Sequence, residues 1–303
     1  MNRSRGNLLV SVCIPSVGRA SLLRTLDSLA ICWEKNCKQF EVIICDDSAE
    51  RRTLFLISDT ARWPFSITIT YTASRDIGVA RNACLSFCAN DFIAFIDDDE
   101  VASESWLSDY LLKAKDASAD VIFGAVNAIY PINAPLWICA AKPFFKNPGS
   151  EGKTIFTGTT ANVFIRRKCL IQSGIKFPEN IGKYGGEDTI FFENLSRNGC
   201  CFIATESAVT YESVPIERMS IKHLFRRYMR GGHTYASIYI CQKSTLIKFV
   251  LCIYTLFKVA IFLSIFIIFL AFYRSKSLKF MFRGAANLGK LTCIFGIPAL
   301  RMY

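Results

Sequence analysis

The chain has 303 residues, a net charge of +11 and 51% hydrophobic residues. This length allows one large α/β domain with appendages, or two ordinary domains. The charge is uneven, because residues 218–303 contain 14 Lys and Arg but no Asp or Glu, whereas residues 1–217 contain 22 basic and 25 acidic residues. A basic tail on a slightly acidic body favours an anionic lipid or a phosphate as partner and argues against nucleic acid.

The N-terminal stretch MNRSRGNLLVSVCIPSVGR lacks an apolar segment long enough for a secretory signal, so we expect the first part of the chain in the cytosol. The 13 cysteines are scattered, form no CxxC and include the adjacent pair Cys200 and Cys201. With two histidines in the chain, a zinc site is not expected. We expect buried, reduced thiols instead.

Short apolar runs alternate with helical patterns over the first 130 residues. The runs that read as buried strands are 8–14, 41–45, 66–71, 92–96 and 120–126. The stretches that read as helices between them are 20–35, 51–62, 78–89 and 103–117. Continuous apolar strands joined by helices predict an α/β fold with a doubly wound, mainly parallel sheet.

Polar residues follow four of these strands directly. They are Pro15-Ser16, Asp46-Asp47, Arg75-Asp76 and Asp97-Asp98-Asp99. Ligands of doubly wound sheets bind beyond the carboxyl ends of the strands, so we expect these residues on one rim. The stretch FIAFIDDDE at 92–100 places hard oxygen ligands there, which suit Mg²⁺ or Mn²⁺. A solvated acidic turn is the alternative.

A further helix is predicted in GGEDTIFFENLSRNG, residues 185–199, where Gly199 is a natural left-handed stop. Glu187 and Asp188 fall in its first turn. Acidic residues are favoured there by the helix dipole, so this position alone also has a structural explanation.

The C-terminal part reads as membrane-associated. Residues 218–230 predict a cationic amphipathic helix suited to a membrane surface, or alternatively a charged face packed on the main domain. Residues 249–273 are apolar except for Lys258, which is long enough for one span. A re-entrant or interfacial pair with 284–300 remains open. We expect a catalytic domain at 1–215, an interfacial helix region at 216–245 and a membrane-associated tail at 246–303.

Five motifs occur in the order and spacing of the family 2 glycosyltransferases. They are VSVCIPSVGR, EVIICDDS, RDIGVARNACL, FIAFIDDDE and GGEDTIFF. The chain resembles that family over about residues 8–230, and the resemblance implies the GT-A fold and transfer of a sugar from a nucleotide-diphosphate sugar.

The resemblance also implies roles for individual residues. Asp47 would bind the nucleotide base, Asp99 the metal, and Asp97 or Asp98 the ribose. Arg81 would brace the aspartate cluster or the nucleotide, with a structural salt bridge as the alternative. The nucleotide-sugar set as a whole is Pro15, Asp47, Arg75, Arg81, Asp97 and Asp98.

Asp188 matches the catalytic base of an inverting transfer, and Glu187 would support it or bind acceptor hydroxyls. Further contacts expected in the acceptor or diphosphate region are Trp137, Thr160, Asn162, Arg227 and Arg230. Processive relatives carry QxxRW after the base, whereas the nearest match here is LFRRY at 224–228. This departure argues against a processive synthase.

The sequence therefore predicts a membrane-associated transferase with its catalytic domain in the cytoplasm, as at a bacterial inner membrane. It would use Mg²⁺ or Mn²⁺ and add one sugar to a saccharide, expected to be lipid-linked. The alternatives are a non-catalytic, membrane-anchored scaffold and a sugar nucleotidyltransferase. The segment SVGRAS has too few glycines for the phosphate loop of a nucleotidyltransferase.

Overall fold

The computed structural model describes residues 10–35, 40–116, 119–155, 158–181, 185–272 and 274–298. The chain divides into two compact units. The first consists of Met1–Ile129, Phe144–Lys183 and Glu187–Ser213, and the second of Tyr130–Pro143, Tyr184–Gly186 and Val214–Tyr303.

The strands are β1 (Val10–Ser16), β2 (Phe40–Asp46), β3 (Ile67–Tyr71), β4 (Phe92–Ile96), β5 (Glu100–Ala102), β6 (Val121–Ile129), β7 (Asn162–Arg166) and β8 (Phe202–Ser213). The helices are α1 (Ser21–Lys35), α2 (Arg52–Leu56), α3 (Ile77–Phe87), α4 (Trp106–Asp116), α5 (Leu136–Ala141), α6 (Arg167–Ser173), α7 (Glu187–Arg197), α8 (Ile221–Tyr239), α9 (Thr245–Phe272) and α10 (Arg274–Ile294).

The first unit is built on one eight-stranded sheet in the order β3-β2-β1-β4-β7-β6-β8-β5. β1 pairs in parallel with β2 and β4, and β2 with β3, while β7 is antiparallel to both β4 and β6. The five strands predicted from sequence therefore all run in one direction, with β7 inserted between two of them. The predicted α/β fold with a mainly parallel sheet is confirmed.

Both faces of this sheet are covered, as the apolar strands require. On one face, α1 and α4 contribute Leu26, Trp106 and Tyr110 to a buried cluster. On the other, α3 and α7 contribute Cys84 and Phe191 to a second cluster. This arrangement explains why both side-chain sets of each central strand are apolar.

The predicted helix at 51–62 is interrupted. It consists of α2 and a separate 3₁₀ turn at Thr60–Arg62. Asp46 Oδ2 accepts a hydrogen bond of 2.7 Å from Thr53 N and fixes the first piece, while Asp59 caps the second by accepting from Ala61 N at 2.9 Å. Two local side-chain anchors thus replace one continuous helix.

The expectation of buried, reduced thiols was wrong in two respects, since Cys139 and Cys201 are exposed and two other cysteines are paired. Cys169 on α6 and Cys200, just after α7, form a disulfide. Both come from the covering layer of the first unit, which brings together cysteines that are 31 residues apart in sequence. Pairing at such a separation has no short-range signal.

The second unit contains three long helices. α10 packs against both α8 and α9. A Cβ at Gly232 of α8 would collide with Ala286 O, and one at Gly289 of α10 would collide with Met229 O. The two glycines therefore allow the backbones of α8 and α10 to approach closely.

α9 contains a stretch that is long and apolar enough to cross a membrane by length and composition. It covers Thr245–Leu270, with a mean hydropathy of 2.5 in its most apolar window, of which 6% is buried within the protein. Most of this stretch is therefore not buried within the protein, unlike an ordinary core helix.

Asn162 on β7, which the resemblance had suggested as a pocket contact, lies inside the first unit. Its Oδ1 accepts from Trp106 Nε1 at 2.8 Å and Tyr110 Oη at 2.6 Å. Its Nδ2 donates to Ala125 O and Ala208 O, both at 2.9 Å. These four bonds use the full capacity of the amide, so the structure gives Asn162 an internal role.

Replacing Asn162 by Ala should lower the free energy of unfolding by about 2 kcal/mol or more, because four buried polar groups lose their partner. Urea denaturation of the detergent-solubilised protein measures this. Asn133→Ala, at an exposed position, is the matched control and should change the stability by less than about 0.5 kcal/mol. Equal stabilities of the two variants would contradict the internal role.

Candidate active site

The carboxyl ends of the first four strands lie level with one another. Ser16 pairs with Asp46, and Asp46 with Tyr71, at the ends of β1, β2 and β3. β4 pairs with β1 up to Cys13 and Phe95, so Asp97 follows at the same edge. The structure therefore brings the predicted strand-end residues to one rim.

Asp98 joins the end of β4 to the loop after β1. Its Oδ2 accepts from Ser16 Oγ at 2.7 Å and Val17 N at 3.4 Å, and its Oδ1 accepts from Arg19 Nη1 at 2.8 Å. Burial raises the pKa of Asp98, against the opposing effects of Arg19 and Ser16. Both oxygens are engaged, so Asp98 acts as a brace within the rim.

Asp99 is more accessible, with 21% of its side chain exposed. Its Oδ2 lies 3.3 Å from Arg19 Nη1. Burial, together with the negative charges of Asp97, Glu212 and Asp98, raises the pKa of Asp99 to about 6. A bound cation would relieve this repulsion.

Among the described residues, no group of three or more His, Cys, Asp or Glu side chains is arranged as a ready metal site. Within the cluster Asp97-Asp98-Asp99, Asp98 is engaged by three donors, so Asp97 and Asp99 are the candidates for holding a cation. Two carboxylates fit the way that Mg²⁺ is usually held, with substrate phosphates and water as the other ligands.

Asp47 organises the loop after β3. Its Oδ1 accepts from Thr72 Oγ1 at 2.8 Å, Ser74 N at 2.6 Å, Ser74 Oγ at 2.8 Å and Arg75 N at 3.0 Å. Ala73 and Arg75 have φ angles of 51° and 54°, a left-handed conformation that costs free energy in non-glycine residues. All these bonds fall on Oδ1, which leaves Oδ2 for a ligand within the described part of the chain.

The same loop leads into α3, whose N-terminus is capped by Asp76. Asp76 Oδ1 accepts from Gly78 N at 2.9 Å. One and a half turns later, Arg81 Nη1 donates to Glu187 Oε1 at 2.6 Å, with side-chain exposures of 7% and 8%. Arg81 therefore pairs with the acidic motif on α7, whereas the first expectation was a contact with the aspartate cluster or the nucleotide. The alternative of a structural salt bridge describes it better.

Glu187 and Asp188 differ in environment at the start of α7. Glu187 is buried, its Oε2 has no hydrogen-bond partner among the described residues, and its pKa is raised by burial against the opposing charge of Arg81. Asp188 is half-buried, and its Oδ1 accepts from Thr189 N at 2.7 Å. The more accessible carboxylate of the pair is thus the one expected to act as base.

The other predicted residues of the first unit differ in exposure. Pro15 is buried in β1 opposite Cys45, and Arg75 is exposed. Thr160 is 1% exposed, and its Oγ1 has no hydrogen-bond partner within the described residues.

Three predicted residues belong to the second unit. Trp137 packs on Phe282 with ring centroids 6.4 Å apart. The guanidinium of Arg230 lies against Gly185, and Arg227 belongs to the same helix, α8. The structure of the first unit does not place these three side chains at the rim.

Sequence reasoning missed a charged cluster behind the aspartates. Lys146 Nζ lies 3.1 Å from Glu212 Oε2 and 3.7 Å from Glu100 Oε1, and Thr210 Oγ1 donates to Glu100 Oε2 at 2.9 Å. Burial raises the pKa of Glu100, against the charge of Lys146. The sequence offered no direct signal, because Glu100 and Glu212 lie on β5 and β8, which were not among the predicted strands.

It also missed Asn82, which follows Arg81. Asn82 Nδ2 donates to Phe177 O at 2.9 Å and to Glu179 Oε1 at 3.0 Å, while its Oδ1 accepts from Phe177 N at 2.9 Å. α3 therefore holds the segment that precedes the acidic motif as well as the motif itself.

Comparison with known proteins identifies the family of the chain. A family model described as "Glycosyl transferase family 2" matches residues 11–174. The succinoglycan biosynthesis protein ExoM of Rhizobium meliloti is 32% identical over 232 residues, which cover 76% of this chain and 75% of that protein. Chondroitin synthase of Escherichia coli is 24% identical over 245 residues. That match covers 68% of this chain and 35% of the synthase, so the chain spans about a third of this longer relative.

A solved structure has a similar fold. The crystal structure of S. aureus TarS 1-349 in complex with UDP-GlcNAc matches with a TM-score of 0.53 and 16% identity, over 95% of this chain and 92% of that one. The match to the same protein in complex with UDP also has a TM-score of 0.53. At this identity the likeness concerns the fold.

Arg81→Met should lower the free energy of unfolding by about 3 kcal/mol or more, because it leaves the buried Glu187 carboxylate without its counter-charge. Adding Glu187→Gln should restore part of the loss, and denaturant titration of both variants measures it. Arg197→Met is the matched control, since it breaks an exposed ion pair with Glu193 on the same helix and should cost less than about 1 kcal/mol. A double variant as unstable as the sum of the single ones would refute the coupling.

Proposed function

Because the chain belongs to glycosyl transferase family 2 and has the GT-A fold, we propose that it transfers one sugar, with inversion, from a nucleotide-diphosphate sugar to an acceptor hydroxyl. The observation that carries this proposal is the continuous link from the rim to the acidic motif. Asp47 fixes the loop before α3, and Arg81 of α3 holds Glu187 beside Asp188. One helix thus joins the donor side of the site to the base.

The donor would bind over the strand ends. Asp47 Oδ2 is suited to accept a hydrogen bond from a ring N–H of the base, with Pro15 and Arg75 beside it. Asp98 braces the rim, and Asp97 is the carboxylate left for the ribose or for the cation. UDP and UDP-GlcNAc, which TarS holds in its crystal structures, make a uridine-diphosphate sugar the first donor to test.

Asp99, with Asp97, would hold Mg²⁺ or Mn²⁺. Such a cation would stabilise the negative charge that develops on the departing diphosphate. The protein would contribute the carboxylates of Asp97 and Asp99 at the rim, and Arg19 is a positively charged neighbour of Asp99.

Asp188 would take the proton of the acceptor hydroxyl as its oxygen attacks the anomeric carbon from the face opposite the nucleotide. Arg81 keeps Glu187 in place beside Asp188. One base and one direct displacement suffice, so the sugar would change its anomeric configuration once and no covalent intermediate would form.

We take the acceptor to be a growing saccharide, in line with the names of the relatives, ExoM and chondroitin synthase. A lipid-linked acceptor would agree with a membrane-associated chain whose catalytic unit lies in the cytoplasm. Candidate acceptor contacts are Trp137, Thr160, Arg227 and Arg230. The functional division at residues 215 and 245 is part of this proposal.

Asp188→Asn should reduce transfer by about 10²–10⁴-fold, because the amide cannot take the acceptor's proton. The dissociation constant for UDP should stay within about twofold of the original. Transfer assays with a panel of nucleotide sugars, together with calorimetry, measure the two quantities. Glu193→Gln, which removes another carboxylate from the same helix, should leave transfer unchanged. Normal transfer by Asp188→Asn would rule out this base.

Transfer should fall as the pH drops through about 6. Asp99, whose pKa is raised to about 6 by burial and neighbouring carboxylates, becomes protonated there and no longer attracts a cation. Rates measured from pH 5 to 8 at subsaturating Mn²⁺ should show this inflection in the unmodified protein and in Glu34→Gln, an exposed-site control. Asp99→Asn should have low transfer without the inflection. An unchanged inflection in Asp99→Asn would exclude Asp99 as its source.

A further inference from the structure

The outer surface of α9 carries an apolar stripe along nearly its whole length. Exposed side chains that belong to it include Leu246, Phe249, Ile253, Phe257, Leu263 and Ile267, with exposures between 53% and 74%. From Leu246 to Leu270 the stripe is about 36 Å long. An exposed apolar surface of this length indicates contact with lipid or with another protein.

α10 lies antiparallel along α9. Phe269 and Phe280 have ring centroids 5.3 Å apart, and a Cβ at Gly284 would lie 3.7 Å from Phe262 Cβ. Nearer the start of α9, Tyr254 interacts electrostatically with Lys290. These three contacts fix which part of α10 accompanies each part of α9.

The register matters because α10 is charged. Lys279 and Arg283 are exposed and Lys290 is half-buried, and all three lie beside the apolar stretch of α9. If α9 crossed a bilayer, α10 would bring these cations into the hydrocarbon region, where charged side chains are strongly unfavourable. The packing of the pair therefore opposes a span.

Lys258 and Lys290 form a pair of like charges across the two helices. Lys258 Nζ lies 4.3 Å from the ring centroid of Tyr254, and Lys290 Nζ lies 4.7 Å from that of Tyr235 on α8. Burial and the neighbouring Lys258 lower the pKa of Lys290. Because residues 218–303 contain no Asp or Glu, this part of the chain offers no carboxylate to balance them.

The two tyrosines are about half exposed, Tyr235 at 48% and Tyr254 at 52%. Tyrosine and lysine side chains with apolar bodies and polar tips are typical of the level of lipid headgroups. The two lysine ammonium groups can attract the negatively charged phosphate of a lipid. The tyrosine rings and the apolar stripe beside them can contact its acyl chains.

We propose that α9 lies in the plane of the membrane, with its outer face among the acyl chains, and that Lys258 and Lys290 together hold the phosphate of an anionic lipid. This inference rests on the membrane association proposed above and specifies its form. The outer face of α9 contacts acyl chains, and α10 packs against another face of the helix. The basic side chains of α10 stay at headgroup level.

Topology tests the in-plane placement. Ser244→Cys, before α9, and Ser275→Cys, in the first turn of α10, are labelled with a membrane-impermeant maleimide in right-side-out and inside-out vesicles, and peptide mass spectrometry quantifies each site. Both sites should react from the same side of the membrane. Labelling from opposite sides would overturn the placement while leaving membrane association and sugar transfer untouched.

Vesicle flotation of the full chain tests the phosphate contact. Lys258→Met/Lys290→Met should reduce partitioning onto vesicles of phosphatidylcholine with phosphatidylglycerol about tenfold, and leave partitioning onto pure phosphatidylcholine unchanged. Lys168→Met/Lys176→Met removes the same charge from exposed positions of the first unit and should stay within twofold of the original. An equal loss in the control pair would show a bulk charge effect and overturn the site.

Discussion

The ion pair between Arg81 and Glu187 joins the two halves of the candidate site. Arg81 stands on the helix that begins at the donor-side loop, and Glu187 stands beside the proposed base on another helix. Each charge is almost fully buried, so neither would be tolerated there without the other. The positions of the base and of the donor loop are therefore coupled through one hydrogen-bonded contact.

Acidic and basic side chains are concentrated in different parts of this protein. The rim concentrates carboxylates, and their repulsion is visible in the raised pKa of Asp99. Behind them, Lys146 compensates Glu100 and Glu212 from within, which lets acidic residues occupy strands without destabilising the sheet. The last 86 residues carry only basic charge. The proposed cation site is thus negatively charged, and the proposed lipid-binding surface is positively charged.

Much of the sheet could be predicted because β1 to β4 and β6 are apolar runs, and burial on both faces requires such runs. β8 escaped prediction because it includes Thr205, Glu206 and Ser207, which break the apolar pattern. The rim residues were predictable because they follow strand ends directly. The partners of Arg81 and Asp98 were not, since Glu187 and Ser16 are distant in sequence and only the fold brings them together.

The glycine contacts between α8 and α10 make α8 dependent on the C-terminal helices. Gly232 and Gly289 place each helix against the backbone of the other, and Leu224, Ala236 and Ile238 of α8 are buried. A chain shortened after α8 to improve solubility would lose this backing and expose a glycine-lined groove to water. α10 is therefore part of the second unit's own core, and detergent or lipid, more than truncation, is the suitable route to a well-behaved sample.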